Sequence, residues 1–245
     1  MQVRILTWNI HKGVGGVDRR YRLDRTAALI RHHEPDIALL QEVAEGWPQA
    51  RFEHQLDELK ELLGYAHVAF GDEHRFVRGG YGNAILSRFP LHDPHRIDLT
   101  IGRRKRRGAL QARAILREGG HQRTLVLHNL HLGLAGSERD RQLARFLEQE
   151  GERPLHADTP SIIGGDFNDL WGTLGKRFLE PAGYRRAVAS ANTFPAAIPL
   201  RPLDGLYFRG HAELKHGHVG RGDLARAASD HLPLIADFEI SLAGD

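Results

Sequence analysis

The chain has 245 residues, 41% hydrophobic and 27% charged, with a formal net charge of only +3 although arginine dominates its cations and lysine is scarce. That is the composition of a globular protein with length enough for one large domain, and no apolar run reaches the roughly 20 residues of a membrane span. The absence of cysteine excludes disulfides, thiolate metal sites and cysteine nucleophiles, so any metal must take oxygen or nitrogen donors, the preference of Mg2+ and Mn2+.

Taken in chain order, residues 3–9 alternate well enough for a strand, and residues 23–33 carry Leu23, Ala27 and Ile30 at helical spacing before a stop at Pro35. "DIALLQEV" (36–43) is a short apolar run with turn-like flanks, hence a buried strand. Residues 52–63 place Phe52, Leu56, Leu59, Leu62 and Leu63 on one helical face, with Gly64 as the stop. A strand is expected in "GYGNAILSRFP" (80–90). Another pair, 110–116 and 124–132, is joined by Gly119 and Gly120. Ser137 opens a helix, with Asp140 as its capping partner and Leu143, Phe146 and Leu147 as its buried face. Strands follow at 161–164, 205–208, 212–215 and 234–240. Strands outnumber helices and cluster, which predicts two packed sheets with helices outside, not a doubly wound parallel sheet. No repeat or linker divides the chain, so one domain over residues 1–245 is expected. "MQVRILTWNI" lacks the features of a secretory leader, so a cytoplasmic location is expected; the chain is also expected to be a monomer.

Polar residues recur where these strands end. Asn9 closes "ILTWN", Glu42 closes "IALLQE", His131 closes "LVLHNLH", and Asp166 and Asn168 follow "SIIGG". Asp204 opens "DGLYF", and Asp230 and His231 precede "LPLIADF". Strand ends at one sheet edge converge, so carboxylates, amides and imidazoles are delivered to one pocket. Phosphodiester hydrolysis needs such a set: a hard cation against the phosphate charge, an activated water and a proton donor for the leaving oxygen. Glu42 and Asp230 are the expected carboxylate ligands of Mg2+ or Mn2+. Asn9 and Asn168 can meet cation or phosphate without adding charge. Asp166 orients or deprotonates water, His231 contacts the phosphate with Asp204 fixing its tautomer, and His131 is a second proton-transfer or phosphate-binding candidate. The glycines before Asp166 are expected to let backbone and ligand approach closely.

"TWNI", "LLQEV", "GNAILSRFPL", "NLHLG", "GGDFND", "LDGLYF" and "SDHLPL", in this order over nearly the whole chain, resemble the endonuclease/exonuclease/phosphatase superfamily, which includes deoxyribonuclease I-like nucleases and sphingomyelinases. The resemblance implies a four-layer α/β sandwich, two mixed β-sheets flanked by helices, and Mg-dependent phosphoester hydrolysis. By matching position it implies that Asn9, Glu42, Asp166, Asn168, Asp204, Asp230 and His231 share the site. His131 is similar to the histidine of the deoxyribonuclease and sphingomyelinase branches. Members often carry aspartate where this chain has His11, so the resemblance carries no second-ligand role to that position.

Three substrate readings follow. The first is nucleic acid, cut as an endo- or exonuclease would, with residues 103–107 ("RRKRR") following the phosphate backbone and Trp171 or Trp47 stacking on bases. The second keeps the chemistry on an anionic phospholipid or small phosphodiester; it ranks lower because no long apolar loop is evident. The third is a catalytically inactive nucleic-acid-binding module. For residues 103–107 a solvated loop weighs equally, for Trp47 and Trp171 packing at the sheet edge is the default, Tyr81 and Asn83 read as strand-edge structure, and His11 and Lys12 stand at even weight.

Overall fold

Alternation along the first strand sends Ile5 to one face and Leu6 and Trp8 to the other, and all three are fully buried. A strand covered on both faces belongs inside a layered structure, and the computed structural model, which describes residues 1–152, 156–189 and 192–242, shows two six-stranded sheets packed face to face. In chain order the strands are β1 (Gln2–Asn9), β2 (Ile37–Glu45), β3 (His67–Arg75), β4 (Gly80–Ser87), β5 (Leu91–Asp98), β6 (Gly108–Glu118), β7 (His121–His131), β8 (Ser161–Asp166), β9 (Arg185–Arg186), β10 (Asp204–Arg209), β11 (Ala212–Val219) and β12 (Leu234–Ile240). The α-helices are α1 (Leu23–His33), α2 (Gln55–Leu63), α3 (Gly136–Glu152) and α4 (Asp223–Ala228).

The first sheet runs β11-β12-β1-β2-β4-β3 and the second β5-β6-β7-β8-β10-β9. Ile5, Leu39, Leu127, Ile162, Leu206 and Phe238 fill the space between them. The outer face of the first sheet packs Trp8, Leu40 and Leu86 against Leu29, Ile30 and Leu59 of α1 and α2. The outer face of the second packs Leu130 and Ile163 against Leu143 and Phe146 of α3. This is the expected four-layer α/β sandwich.

Parallel pairing needs a crossover. The parallel pairs β1·β2 and β7·β8 are the ones separated by α1 and α3. Their C-terminal ends therefore share one edge of the sandwich. β10 and β12 run antiparallel to β8 and β1, so their starts lie at that same edge: Asp204 stands opposite Asp166, Asp166 opposite His131, and Leu234 opposite Thr7.

Below this edge a polar clasp joins the sheets. Gln41 Nε2 donates to Asn129 Oδ1 at 2.7 Å, and Asn129 Nδ2 donates to the Leu40 and Ala84 carbonyls, both at 2.8 Å. Asn83 Nδ2 donates to Glu73 Oε1 at 3.0 Å and reaches the Gly108 carbonyl of the second sheet at 3.2 Å. Buried polar groups left unpaired are costly, so these bonds hold one inter-sheet register beneath the site. Asn83 is thus a clasp between sheets, not an edge residue.

The strand-end glycine approaches protein, not ligand. A Cβ on Gly164 would lie 2.7 Å from Leu39 Cδ1 and 3.0 Å from Thr7 Cβ across the sandwich, so only glycine lets the sheets close there. The second helix starts at Gln55, not at residue 52, because Arg51 and Phe52 take left-handed conformations (φ +54° and +62°) that a helix cannot contain. Phe52, left outside the helix, is exposed, and Leu62 within it faces solvent rather than the core. Gly64 does end that helix, its N–H reaching the Lys60 carbonyl at 2.9 Å. Asp140 takes a bidentate pair from Arg177, 3.0 and 2.8 Å.

Candidate active site

Asp166, the last residue of β8, is buried. Its Oδ1 accepts the Asn168 N–H at 2.8 Å, and its Oδ2 accepts from Asn9 Nδ2 at 3.0 Å. Two imidazoles approach the same Oδ2: His131 Nε2 at 3.7 Å and His231 Nε2 at 3.8 Å. Residues from β1, β7, β8 and the approach to β12 therefore meet around one carboxylate oxygen, as the strand-end pattern predicts. Asp166, Asp204 and His231 also offer ligand atoms within 4.8 Å of one another.

Behind His231, Asp204 Oδ2 lies 2.9 Å from Nδ1. Burial disfavours the charged ring, but Asp204, Asp166 and Asp230 outweigh it and lift His231 from 6.5 to about 10. Burial also raises the Asp204 carboxyl. With three carboxylates facing the ring we place the proton there, as an imidazolium–carboxylate pair. Ser229 Oγ fixes the local backbone, accepting from the His231 N–H at 3.2 Å and donating to the Asn9 carbonyl at 2.7 Å.

Glu42 sits at a β-bulge in β2 with φ +56°, a conformation a bulge imposes to turn a side chain out of the alternation. Burial opposes its ionisation, but Lys12 and His131 override it and hold the carboxyl down to about 2. Lys12 Nζ bonds that carboxylate directly and lies 4.7 Å from the Tyr81 ring and 5.4 Å from the Trp47 ring. Lys12 thus joins the site. His11 Nδ1 stands 3.6 Å from Asp230 Oδ1, and that buried oxygen makes no hydrogen bond. Asn168 takes φ +49° and gives its Nδ2 to the Leu132 carbonyl at 2.9 Å, leaving Oδ1 as the atom it can offer. Asp169 instead closes the following turn, accepting the Leu174 N–H at 2.7 Å.

Sequence reasoning misses Glu73. It is 1% exposed, and its Oε2 lies 3.0 Å from His131 Nδ1 and 3.5 Å from Arg107. The inward face of β3 is Ala69, Gly71 and Glu73, two small residues and a carboxylate, so no apolar period marks that face. The available signal is on the other face, where Val68 and Phe70 alternate and pack against the outer core. Residues 103–107 are correspondingly not one solvated run: Arg107 is buried against Glu73, Arg104 pairs with Glu138 at 3.2 Å, and Lys105 lies 5.2 Å from the Tyr81 ring. Trp47 is half-buried, but Trp171 departs from the packed default: it is 71% exposed, with the Arg201 guanidinium 4.8 Å from its ring.

Known proteins share this arrangement of strands. The structure of an endonuclease/exonuclease/phosphatase from Beutenbergia cavernae superposes with a TM-score of 0.82 at 25% identity, over 98% of this chain and 72% of that one. One from Bacteroides vulgatus gives 0.79 at 20% identity, over 98% and 100%. The uncharacterized protein YbhP of Escherichia coli K12 is 30% identical over 97% of this chain and 96% of its own length. The family model described as Endonuclease/Exonuclease/phosphatase family matches residues 6–231, from within β1 through His231, and the chain belongs to that family.

Proposed function

We propose that the protein is a Mg2+- or Mn2+-dependent phosphodiesterase. The observation that carries this reading is the meeting of Asn9 Nδ2, His131 Nε2 and His231 Nε2 around Asp166 Oδ2, at 3.0, 3.7 and 3.8 Å. Two ring nitrogens and a carboxylate oxygen turned to one point are the proton donors and acceptor that hydrolysis of a phosphodiester requires.

The residues fit a hard cation. The donors are oxygens, Glu42 is held ionised, and Asp230 Oδ1 is buried without a hydrogen-bond partner. Asn9, Glu42 and Asp230 would hold it, Lys12 giving up its hold on Glu42 in exchange. A divalent cation supplies charge neutralisation at the phosphate. The chain does the rest. Asp166 accepts the proton of the attacking water, the His231 imidazolium donates to a non-bridging oxygen while Asp204 holds its other N–H, and His131 gives a proton to the departing oxygen. Bond making to phosphorus and bond breaking to the leaving oxygen thereby balance in protons.

Nucleic acid is a second reading of the substrate, favoured by Trp171, which is 71% exposed beside Arg201 and could stack on a base. The test is hydrolysis of the soluble diester bis(p-nitrophenyl) phosphate, with single-stranded DNA and RNA assayed beside it, in Mg2+, Mn2+ or EDTA. The proposal expects cation-dependent turnover that falls about a thousandfold in Asp166→Asn. Turnover indifferent to EDTA, or retained in Asp166→Asn, overturns it.

A further inference from the structure

The apolar side chains that the fold leaves in water are not scattered. Apart from Leu62 on α2 and Leu224 on α4, every large hydrophobic side chain exposed among the described residues belongs to a segment at the edge that carries Asp166. Val17 follows β1, Phe52 follows β2, Val77 turns β3 into β4, Leu134 follows β7, Trp171 follows β8 and Leu200 precedes β10. Val77 is as exposed as a free residue at 105%, and Leu134, Trp171, Leu200 and Val17 are 74, 71, 64 and 63% exposed. Single exposed hydrophobic residues are ordinary; their confinement to one functional face is not.

The same segments carry exposed cations between the apolar tips. Arg19, Arg51, Arg78 and Arg201 are exposed on them, and Arg103 and Lys105 are exposed on the β5–β6 connection at the same edge. Exposed carboxylates also lie on these connections, among them Asp18, Asp98, Glu180 and Asp223, and Asp18 and Asp98 are taken by Arg25 and Arg96 at 2.8 and 3.0 Å.

We infer that this edge docks on an anionic lipid bilayer and that the phosphodiester cleaved at Asp166 belongs to a lipid headgroup. The inference rests on the phosphodiesterase reading and names its substrate class. Cations interleaved with apolar tips match the two forces that hold a protein at a bilayer surface, attraction to anionic headgroups and burial of apolar groups at the acyl boundary. A nucleic-acid strand would use the cations and Trp171, but it offers nothing to Val17, Val77, Leu134 or Leu200. The apolar contribution the sequence reading sought in one long loop is divided among six short ones. A headgroup phosphate at the bilayer surface would meet this edge without leaving the membrane.

The test separates docking from chemistry. The whole protein is sedimented with vesicles of phosphatidylcholine alone and of phosphatidylcholine mixed with phosphatidylglycerol, in EDTA so that catalysis plays no part, at low and high salt. Single-stranded DNA competes in a parallel series, and bis(p-nitrophenyl) phosphate hydrolysis in Mg2+ is measured on the same preparations. The proposal expects binding to the anionic vesicles alone, weakened by salt. It expects the double variant Val77→Asp/Leu200→Asp to lose about tenfold in vesicle affinity while hydrolysing the soluble diester and binding DNA as the wild type does. Phosphatidylglycerol cleavage in vesicles should fall with the affinity. No association with anionic vesicles, or association unchanged in the variant, overturns the docking even if the soluble diester is cleaved. Displacement from vesicles by DNA with loss of DNA binding in the variant assigns the edge to nucleic acid and overturns it equally. Vesicle binding without diester hydrolysis refutes the phosphodiesterase reading and leaves the docking standing.

Discussion

His231 and His131 reach the same oxygen of Asp166 from opposite sheets. His231 leads into β12 of the first sheet and is backed by Asp204 of the second; His131 ends β7 of the second and is backed by Glu73 of the first. Each imidazole–carboxylate pair therefore bridges the sandwich, in opposite senses, and the separation of the sheets sets the distance between the rings. The pairs differ in what else the carboxylate holds. Asp204 faces its histidine, which is raised to about 10. Glu73 is shared with Arg107 at 3.5 Å and Asn83 at 3.0 Å. Asp204 thus serves His231 with Thr193 beside it, whereas Glu73 is divided among His131, Arg107 and Asn83.

The sharpest way to break this comparison is to remove the rings. His231→Gln should lower kcat by about a thousandfold or more and His131→Gln by about a hundredfold, measured on a soluble phosphodiester, with circular dichroism confirming the fold. Next come the carboxylates. Asp204→Asn removes the charge that holds the imidazolium, and kcat should fall about a thousandfold. Glu73→Gln keeps a hydrogen-bonding group beside His131 and should cost about tenfold in kcat with KM little changed. Equal losses in these two variants would erase the distinction drawn between them.

A histidine without a facing carboxylate supplies the smallest effect. Burial pushes His33 down from 6.5 to about 4, with His32, His218 and Arg4 adding repulsion. A group depressed in the folded state favours folding only above its unfolded value. That contribution should be full above pH 6.5 and fade as pH falls to about 4. In metal-free buffer the Tm of His33→Asn should lose less than the wild type over that interval, and the His33 ring should titrate near the lower limit by NMR.

The architecture was legible because buried strands announce themselves. Ile5, Leu6 and Trp8, or Ile162 and Ile163, fill both faces of their sheets, and the polar residues that interrupt such runs, Asn9, His131 and Asp166, stand where the strands end. Glu73 was not legible because β3 buries Ala69 and Gly71 against the facing sheet, where a Cβ on Gly71 would come 3.3 Å from Leu110. Close packing erased the apolar period on that face and left a charged-looking segment. Arg107 was misread for the same reason. Its partner lies 34 positions away on the strand that pattern could not find, so the cation appeared solvated. Residues near in space and far in sequence become visible only when both strands are.

The central claim is that Asp166 and His231 act as one unit on one phosphate, and a double-mutant cycle tests it most directly. If so, Asp166→Asn/His231→Gln should hydrolyse the soluble diester about as slowly as the worse of the two single variants, because a unit once broken loses little more. Losses that multiply across the cycle would show two independent contributions and contradict the shared site.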